Sequence, residues 1–254
     1  MVVCREYVKK IDIEGAATPY RVLCQRREGA GQLTVLLHGL GCSVKCWQHA
    51  WDHAELGSLL AIDLPGFGRS EKTDAFAHDL SALAAVVDTI LGDFADRQLR
   101  IVAHSMGGAV ALLLNRATWS RTTSFINVEG NLAAADCGMV SRAIATVTEA
   151  EFVDSGMAQL RERLRDEPGF DLETASALAM HRCARSLVSW SEGGELLARY
   201  LDLPCQRTYV CGDRNLDAVQ RSLPAGERLR VVAASGHFPM IDNPDAFYRL
   251  IATV

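Results

Sequence analysis

The sequence predicts an α/β protein with a mostly parallel central sheet, helices on both faces of the sheet and a helical insertion. Short apolar, β-rich runs alternate with helix-like segments along most of the 254 residues, and buried strands separated by helices pair in parallel through right-handed crossovers. We predict strands at 20–25, 34–37, 59–62, 100–103, 125–128, 207–210 and 229–232, and core helices at 77–91 and 107–116. Residues 1–13 are expected to form an antiparallel edge hairpin with the first of these strands.

The alternation of strands and helices stops between residues 131 and 204. Four successive helices are predicted there, at 139–148, 151–165, 172–189 and 194–201. Asp171 is the predicted N-cap of the third helix. Ligands of open α/β sheets bind beyond the carboxyl ends of the strands, and an insertion between two strands lies above that edge. We therefore predict a core made of residues 1–130 and 205–254, covered by a helical lid at 131–204.

Composition and charge argue against several classes of protein. The formal net charge of −5 is mild and the basic residues form no stripe, which argues against nucleic-acid binding. The first ten residues carry charge and lack the apolar core of a signal peptide. The most apolar long segment, 80–91, is interrupted by Asp88 and is too short to span a bilayer. We therefore expect a soluble, cytoplasmic protein without membrane contact.

The eight cysteines form no CxxC pair. Several lie in apolar runs, where a reduced cysteine behaves as a small hydrophobic residue. Cys42 and Cys46 have a spacing compatible with a metal ion, and His38 and His49 lie nearby. No second pair of ligands follows at a zinc-like interval. We therefore predict no metal site and no cofactor.

The segment IVAHSMGGAV, residues 101–110, places Ser105 between a predicted strand and a helix rich in small residues. A serine in such a tight turn has a strained backbone, so the residues two before and two after it must be small, as Ala103 and Gly107 are. The helix N-terminus behind the turn favours developing negative charge. Ser105 is therefore a candidate nucleophile, although Ala103 replaces the first glycine of the usual G-x-S-x-G pattern. The alternative is a serine that only caps the helix.

A loop with the sequence HGLG, residues 38–41, follows the predicted strand at 34–37. A glycine-rich turn at a strand end exposes backbone N–H groups, which an oxyanion requires. The N–H groups of Leu40 and Met106 are the two predicted oxyanion donors. An ordinary strand-to-helix turn is the alternative, and it explains the glycines but not the histidine before them.

The loop DLPGFGRS, at 63–70, is predicted to be structural.

His237 lies in the predicted loop between the last strand and the C-terminal helix, whose N-cap is Asn243. This loop is expected at the same edge of the sheet as Ser105. A neutral imidazole held there can remove the serine proton and return it to a leaving group. His237 is therefore the candidate base. His104, which directly precedes Ser105, is expected to pack against the pocket or tune it.

Four segments together resemble the α/β-hydrolase superfamily over nearly the whole chain: LLHGLG, AIDLPGFGRS, VAHSMGGAV and SGHFPMIDNPDAF. They occur in the order and at the spacings usual in that superfamily. The resemblance implies the α/β-hydrolase fold, with Ser105 as nucleophile, His237 as base and the loop after His38 as part of the oxyanion hole. A serine rather than an aspartate at the turn argues against dehalogenases and epoxide hydrolases, which begin with carboxylate attack.

The third member of the expected triad departs from the commonest pattern. Many members of the superfamily carry the acid three residues after a glycine that follows the penultimate strand, and from Gly212 that position holds Asn215. Some members place the acid after the strand that follows the nucleophile's strand, where this sequence has Glu129. Glu129 is the predicted acid and Asp213 the alternative. A further interpretation makes Glu129 a glutamate that faces water at the lid hinge.

The predicted function is hydrolysis of a small to moderate-sized ester, thioester or related acyl substrate through an acyl-enzyme. The apolar lid residues are expected either to line an acyl pocket or only to pack the lid on the core: Met139, Ile144, Val147, Phe152, Met157 and Leu160. A non-hydrolytic small-ligand receptor, a biosynthetic protein, and a lactone or carbon–carbon bond hydrolase remain alternatives on the same fold. The sequence specifies neither the physiological substrate nor the oligomeric state.

Overall fold

The computed structural model describes residues 4–12 and 19–254. Eight strands form one sheet in the order β1-β2-β4-β3-β5-β6-β7-β8. The strands are β1 (Cys4–Ile11), β2 (Tyr20–Arg27), β3 (Leu33–Leu37), β4 (Ser58–Ile62), β5 (Leu99–His104), β6 (Thr122–Val128), β7 (Gln206–Gly212) and β8 (Leu229–Val232). β2 pairs antiparallel with β1 and with β4, and the other neighbours pair in parallel. The predicted fold class and edge hairpin are confirmed; residues 1–3 and 13 of that hairpin lie outside the described residues.

Helices cover both faces of the sheet. They are α1 (Leu80–Gly92), α2 (Met106–Leu112), α3 (Arg116–Ser120), α4 (Met139–Ala145), α5 (Glu149–Glu151), α6 (Met157–Arg163), α7 (Ala177–Glu192), α8 (Glu195–Leu201), α9 (Leu216–Ser222), α10 (Pro239–Asp242) and α11 (Pro244–Ala252). Successive side chains of a strand point to opposite faces. Val35 and Leu37 accordingly pack in the apolar cluster that contains α1 and α2, whereas Leu36 packs in the cluster that contains α11.

Burial on both faces explains why the central strands have nearly continuous apolar sequences. All five residues of β3, with the sequence LTVLL, are buried. The same holds for β4, with the sequence SLLAI. Parallel strands covered by helices on both sides require such composition. Because β3, β5, β6 and β7 pair in parallel, their carboxyl ends meet at one edge of the sheet. The loops that carry the candidate site leave the sheet at this edge.

The described segment between β6 and β7 contains helices and no strand, as predicted, but its helices are more broken than expected. One predicted helix at 151–165 contains a π-helical turn at Phe152–Gly156 between α5 and α6. Gly156 lies directly against the Phe152 ring, where a β-carbon would come within 2.7 Å of a ring atom. A π-turn inserts one extra residue per turn and so re-aims the helix that follows it.

The predicted N-cap of the third helix of this segment is wrong. Ser176, not Asp171, precedes α7, and its hydroxyl accepts a hydrogen bond from the Ala179 N–H. The carboxylate of Asp171 instead accepts hydrogen bonds from the hydroxyl of Ser43 (2.7 Å) and the ammonium of Lys45 (2.9 Å). Asp171 thus joins the helical segment to the loop after β3. The other predicted cap, Asn243, is confirmed at the start of α11.

Candidate active site

A cavity of about 640 Å³ lies between the carboxyl edge of the sheet and the helical segment 131–204. Ser105, Glu129 and His237 all line it, at the ends of β5 and β6 and in the loop before α10. Leu40, after β3, contributes to the same wall. The sequence-predicted residues from four separate loops therefore meet at one cavity.

Ser105 occupies a strained turn between β5 and α2. Its φ is +51° and its ψ −122°, a conformation that costs an L-residue about 1–3 kcal/mol and that only a tightly determined surrounding maintains. The Ser105 N–H donates to the Val128 carbonyl of β6 (3.0 Å). Gly107 is required because a β-carbon there would lie 2.6 Å from the Leu37 carbonyl oxygen. The Ser105 side chain makes no capping hydrogen bond to α2, so the turn presents the hydroxyl instead of using it as a cap.

The loop after β3 is held directly against this turn. A β-carbon on Gly39 would lie 3.0 Å from the Ser105 β-carbon. His38 Nε2 accepts the Leu64 N–H (2.9 Å), so its proton is on Nδ1 and is donated to the Gly39 carbonyl (2.8 Å). Burial lowers the pKa of His38, which keeps the ring neutral in this tautomer. His38, a residue that an ordinary strand-to-helix turn does not require, therefore fixes the loop that leads to Leu40.

His237 faces the carboxylate of Glu129. His237 Nδ1 lies 3.6 Å from Glu129 Oε2, and only 7% of the Glu129 side chain is exposed. The Gly212 N–H donates to Oε1 (2.9 Å), and the Asn215 amide donates to Oε2 (3.1 Å). A carboxylate that accepts such bonds is held in one orientation. The Glu129 side chain is thus largely enclosed and paired, and does not face water.

Asp213, the alternative acid, has different partners. Its carboxylate accepts the N–H groups of Ala234 (2.8 Å) and Ser235 (3.1 Å). These two hydrogen bonds lower the pKa of Asp213. Asp213 therefore braces the loop that carries His237 and contacts its backbone. Between the two carboxylates, Glu129 is the one paired with the His237 ring.

Two contributions to the site were not recognised from the sequence. Asn215 stands where many members of the superfamily carry the acid, and its amide orients Glu129. His104 Nε2 donates to the His237 carbonyl (2.9 Å), and the two rings lie 4.7 Å apart. Burial, together with the neighbouring His237, lowers the pKa of His104 well below its usual range, so His104 is neutral. His104 thus packs at the pocket, and the residue that it contacts there is His237.

Of the two uses expected for the apolar residues of the helical segment, packing is the one that the structure shows for four of them. Ile144, Phe152, Met157 and Leu160 are buried in the main apolar cluster and do not line the cavity, and Val147 is exposed. The side chain of Met139 lies outside the described residues. The cavity is lined from this segment by Ala133, Ala135, Val140, Phe170 and Leu187. Apolar periodicity identified residues of these helices that pack, but not the ones that face the site.

The loop at 63–70 has structural contacts. The Asp63 carboxylate accepts the N–H groups of Val44 (2.7 Å) and Arg69 (2.8 Å). Gly68 has a φ of +55°, and a β-carbon there would lie 2.2 Å from the Asp63 carboxylate. The buried Asp63 therefore ties this loop to the loop after β3.

Within residues 4–12 and 19–254, no three His, Cys, Asp or Glu side chains are grouped as metal ligands. Cys42 and Cys46 are both buried. Burial raises the pKa of the Cys42 thiol to about 12 and also raises that of Cys46. In the same described part of the chain, no helix has the length and apolar character needed to cross a membrane.

Comparisons with known proteins agree with this architecture. The model of the alpha/beta hydrolase family matches residues 34–250. An uncharacterized protein of Mycobacterium tuberculosis is 26% identical over 89% of this chain and 76% of its own length. The dihydrolipoyllysine-residue acetyltransferase component of the acetoin cleaving system of Cupriavidus necator is 25% identical over 94% of this chain and 67% of its own.

Solved structures with low sequence identity share the fold. A variant N-acyl homoserine lactonase complexed with N-hexanoyl homoserine has a TM-score of 0.77 at 15% identity, covering 99% of this chain and 96% of that chain. An esterase from Exiguobacterium antarcticum has a TM-score of 0.76 at 18% identity, covering 100% of this chain and 98% of that chain. The whole described sheet and its helices therefore belong to one known architecture.

Proposed function

The chain belongs to the alpha/beta hydrolase family, and we propose that it is a serine hydrolase that cleaves a small to moderate-sized ester, thioester or related acyl substrate. The family and the fold shared with an esterase and a lactonase support hydrolase activity. One observation carries the finer proposal. Ser105, in its strained turn, and His237, paired with Glu129, line the same cavity.

In the proposed reaction the Ser105 hydroxyl attacks the substrate carbonyl while His237 takes its proton. The N–H groups of Leu40 and Met106 donate to the oxyanion that forms. His237 then gives the proton to the leaving group, which departs and leaves an acyl group on Ser105. Water, deprotonated by His237, attacks the acyl-enzyme and releases the acid. Every step uses groups of this chain and no cofactor.

Glu129 is proposed as the acid of the triad. Its carboxylate would hold His237 with the proton on Nδ1, leave Nε2 free for the serine proton, and stabilise the imidazolium formed during attack. The hydrogen bonds from Gly212 and Asn215 support this role, because they hold the carboxylate near His237 Nδ1. The distance of 3.6 Å between His237 Nδ1 and Glu129 Oε2 leaves a short approach to be made when substrate binds.

The segment 131–204 is proposed to act as a lid over the core formed by residues 1–130 and 205–254. Its contribution to the cavity wall includes Val140 and Leu187, which supports a role in setting the size of the acyl group. Apolar walls of this kind bind acyl chains without fixing their polar groups. We therefore propose that substrate length is selected by this segment and chemistry by the core.

An ester panel graded by acyl length tests the proposal. Wild type is expected to hydrolyse short to medium esters, and Ser105→Ala is expected to lose turnover while it keeps the wild-type circular dichroism spectrum, since a small residue suits the turn. Wild-type rates in the variant would refute the role of Ser105. If wild type turns over no member of the panel but binds small acyl compounds in calorimetry, a receptor function replaces the proposed one.

A further inference from the structure

One cationic side chain lines the cavity without a partner of opposite charge. Arg221 lies near the end of α9, and it faces the same cavity as Ser105 and His237. In the part of the chain that the structure describes, its guanidinium takes part in no ion pair and no hydrogen bond. Asp217, one turn earlier on α9, does not pair with it and does not line the cavity. Among the described residues that line the cavity, Arg221 is therefore the one lysine or arginine, and its guanidinium pairs with no carboxylate.

The acidic groups that line the cavity are already occupied. Glu129 accepts hydrogen bonds from Gly212 and Asn215 and faces His237. Asp136 Oδ2 accepts the N–H groups of Leu132 (2.9 Å) and Ala133 (2.8 Å). These contacts satisfy both carboxylates locally, whereas the Arg221 guanidinium has its donors free.

Other polar side chains that line the cavity are also engaged in the fold. The Ser222 hydroxyl donates to backbone carbonyls of α9, and the Tyr209 hydroxyl donates to the Gly130 carbonyl (3.0 Å). Most of the remaining wall is apolar, including Leu40, Val140 and Phe238. A guanidinium presents a planar fork of donors that suits a carboxylate better than any neutral group. Arg221 is therefore the one charged side chain of the wall that no other group of the described residues engages, beside apolar residues and neutral polar groups such as Asn131 and Ser141.

We infer that Arg221 forms a carboxylate subsite, so that the preferred substrates of the proposed hydrolase are esters or thioesters that carry a free carboxylate at a distance from the scissile bond. Monoesters of aliphatic dicarboxylic acids are the simplest members of this class. The inference rests on the proposed function, because it uses the same cavity. Since Arg221 is solvent-exposed, the pairing is screened by water and salt, and its effect is moderate.

The test compares two substrates of similar length, the 4-nitrophenyl monoester of adipic acid and 4-nitrophenyl hexanoate. The measured quantity is the ratio of their kcat/KM values. Wild type is expected to favour the acidic ester, and Arg221→Gln to lower the ratio by roughly fivefold through the KM of the acidic ester. Arg221→Lys should retain part of the preference, because it keeps the charge but not the fork.

Arg116→Gln provides the matched control, since Arg116 is exposed on α3 and lies outside the cavity wall. It removes the same net charge and should leave the ratio at the wild-type value. Raising the ionic strength should lower the wild-type ratio towards that of Arg221→Gln. An unchanged ratio in Arg221→Gln, or an equal drop in Arg116→Gln, overturns the subsite. If wild type hydrolyses neither ester, the result would instead count against the proposed serine hydrolase activity.

Discussion

Two neighbouring strand ends, those of β6 and β7, each carry a carboxylate, and the two carboxylates have different surroundings. Glu129, after β6, is 7% exposed and faces the His237 ring. Asp213, after β7, is exposed and accepts hydrogen bonds from the backbone of residues 234 and 235. An acid that tunes a histidine must contact the ring, whereas an acid that contacts the backbone of the same loop only positions it. The difference supports the proposal that these two residues, which the sequence presents as alternatives, have separate tasks.

Glu129→Gln gives the largest expected effect of this comparison. The amide keeps the size of the side chain but removes the charge that stabilises an imidazolium and selects its tautomer, so kcat should fall by roughly three orders of magnitude. Steady-state kinetics on a short-chain 4-nitrophenyl ester measures the loss. Thermal unfolding serves as the control and should show a folded protein. A variant that keeps near-wild-type kcat would show that Glu129 is not the acid of the triad.

Asn215→Ala tests whether the loop after β7 contributes to catalysis by orienting Glu129. The Asn215 amide donates to Glu129 Oε2 (3.1 Å), and a hydrogen bond to a charged group contributes about 1.5–3 kcal/mol. We expect kcat to fall by about tenfold, because the carboxylate loses one of the donors that orient it. In a Glu129→Gln background the same substitution should have a much smaller effect, since no charge remains to be oriented. Additive losses in the double variant would contradict this coupling.

Asp213→Asn is expected to have the smallest effect on catalysis, with kcat within about twofold of wild type, because the carboxylate contacts backbone and not the ring. Its effect should appear in stability. The N–H groups of Ala234 and Ser235 lower the pKa of Asp213, so its contribution is present above the unfolded-state pKa of about 3.9 and is lost as the pH falls through the lower folded-state pKa.

The difference in Tm between wild type and Asp213→Asn should therefore be visible at neutral pH and shrink below about pH 4. Thermal unfolding followed across this pH range measures it. If Asp213→Asn instead lost activity as severely as Glu129→Gln, the tasks assigned to the two strand ends would be reversed.

The sequence predicted the parts of the molecule that depend on local pattern. Central strands such as β3 and the turn around Ser105 follow from short-range composition, because continuous apolar runs need two covered faces and tight turns need small residues. The order of strands and loops predicts that Glu129 and His237 lie at the same edge of the sheet, and the family resemblance adds their roles. Their proximity in the structure agrees with that placement.

Contacts between distant segments were not predictable in the same way. The sequence shows that Asn215 occupies the common position of the acid, but a pattern gives the residue type at a position and not the partner that its side chain contacts, here Glu129. The same reason explains why Asp171 was assigned as a cap, although its carboxylate binds Ser43 and Lys45 across the fold. Helical periodicity likewise predicts that Ile144 lies on a buried face of its helix. It does not predict whether that face lines the cavity or packs in the main apolar cluster, where the structure places Ile144.

The central claim is that Ser105 is an activated nucleophile, and labelling with a fluorophosphonate probe tests it most directly. The probe reacts with a serine that a neighbouring base deprotonates, and tryptic mass spectrometry locates the adduct. We predict one adduct, on the peptide that contains Ser105, absent in Ser105→Ala and strongly slowed in Glu129→Gln. An adduct on another serine, or labelling of Ser105→Ala at the wild-type rate, would contradict the account.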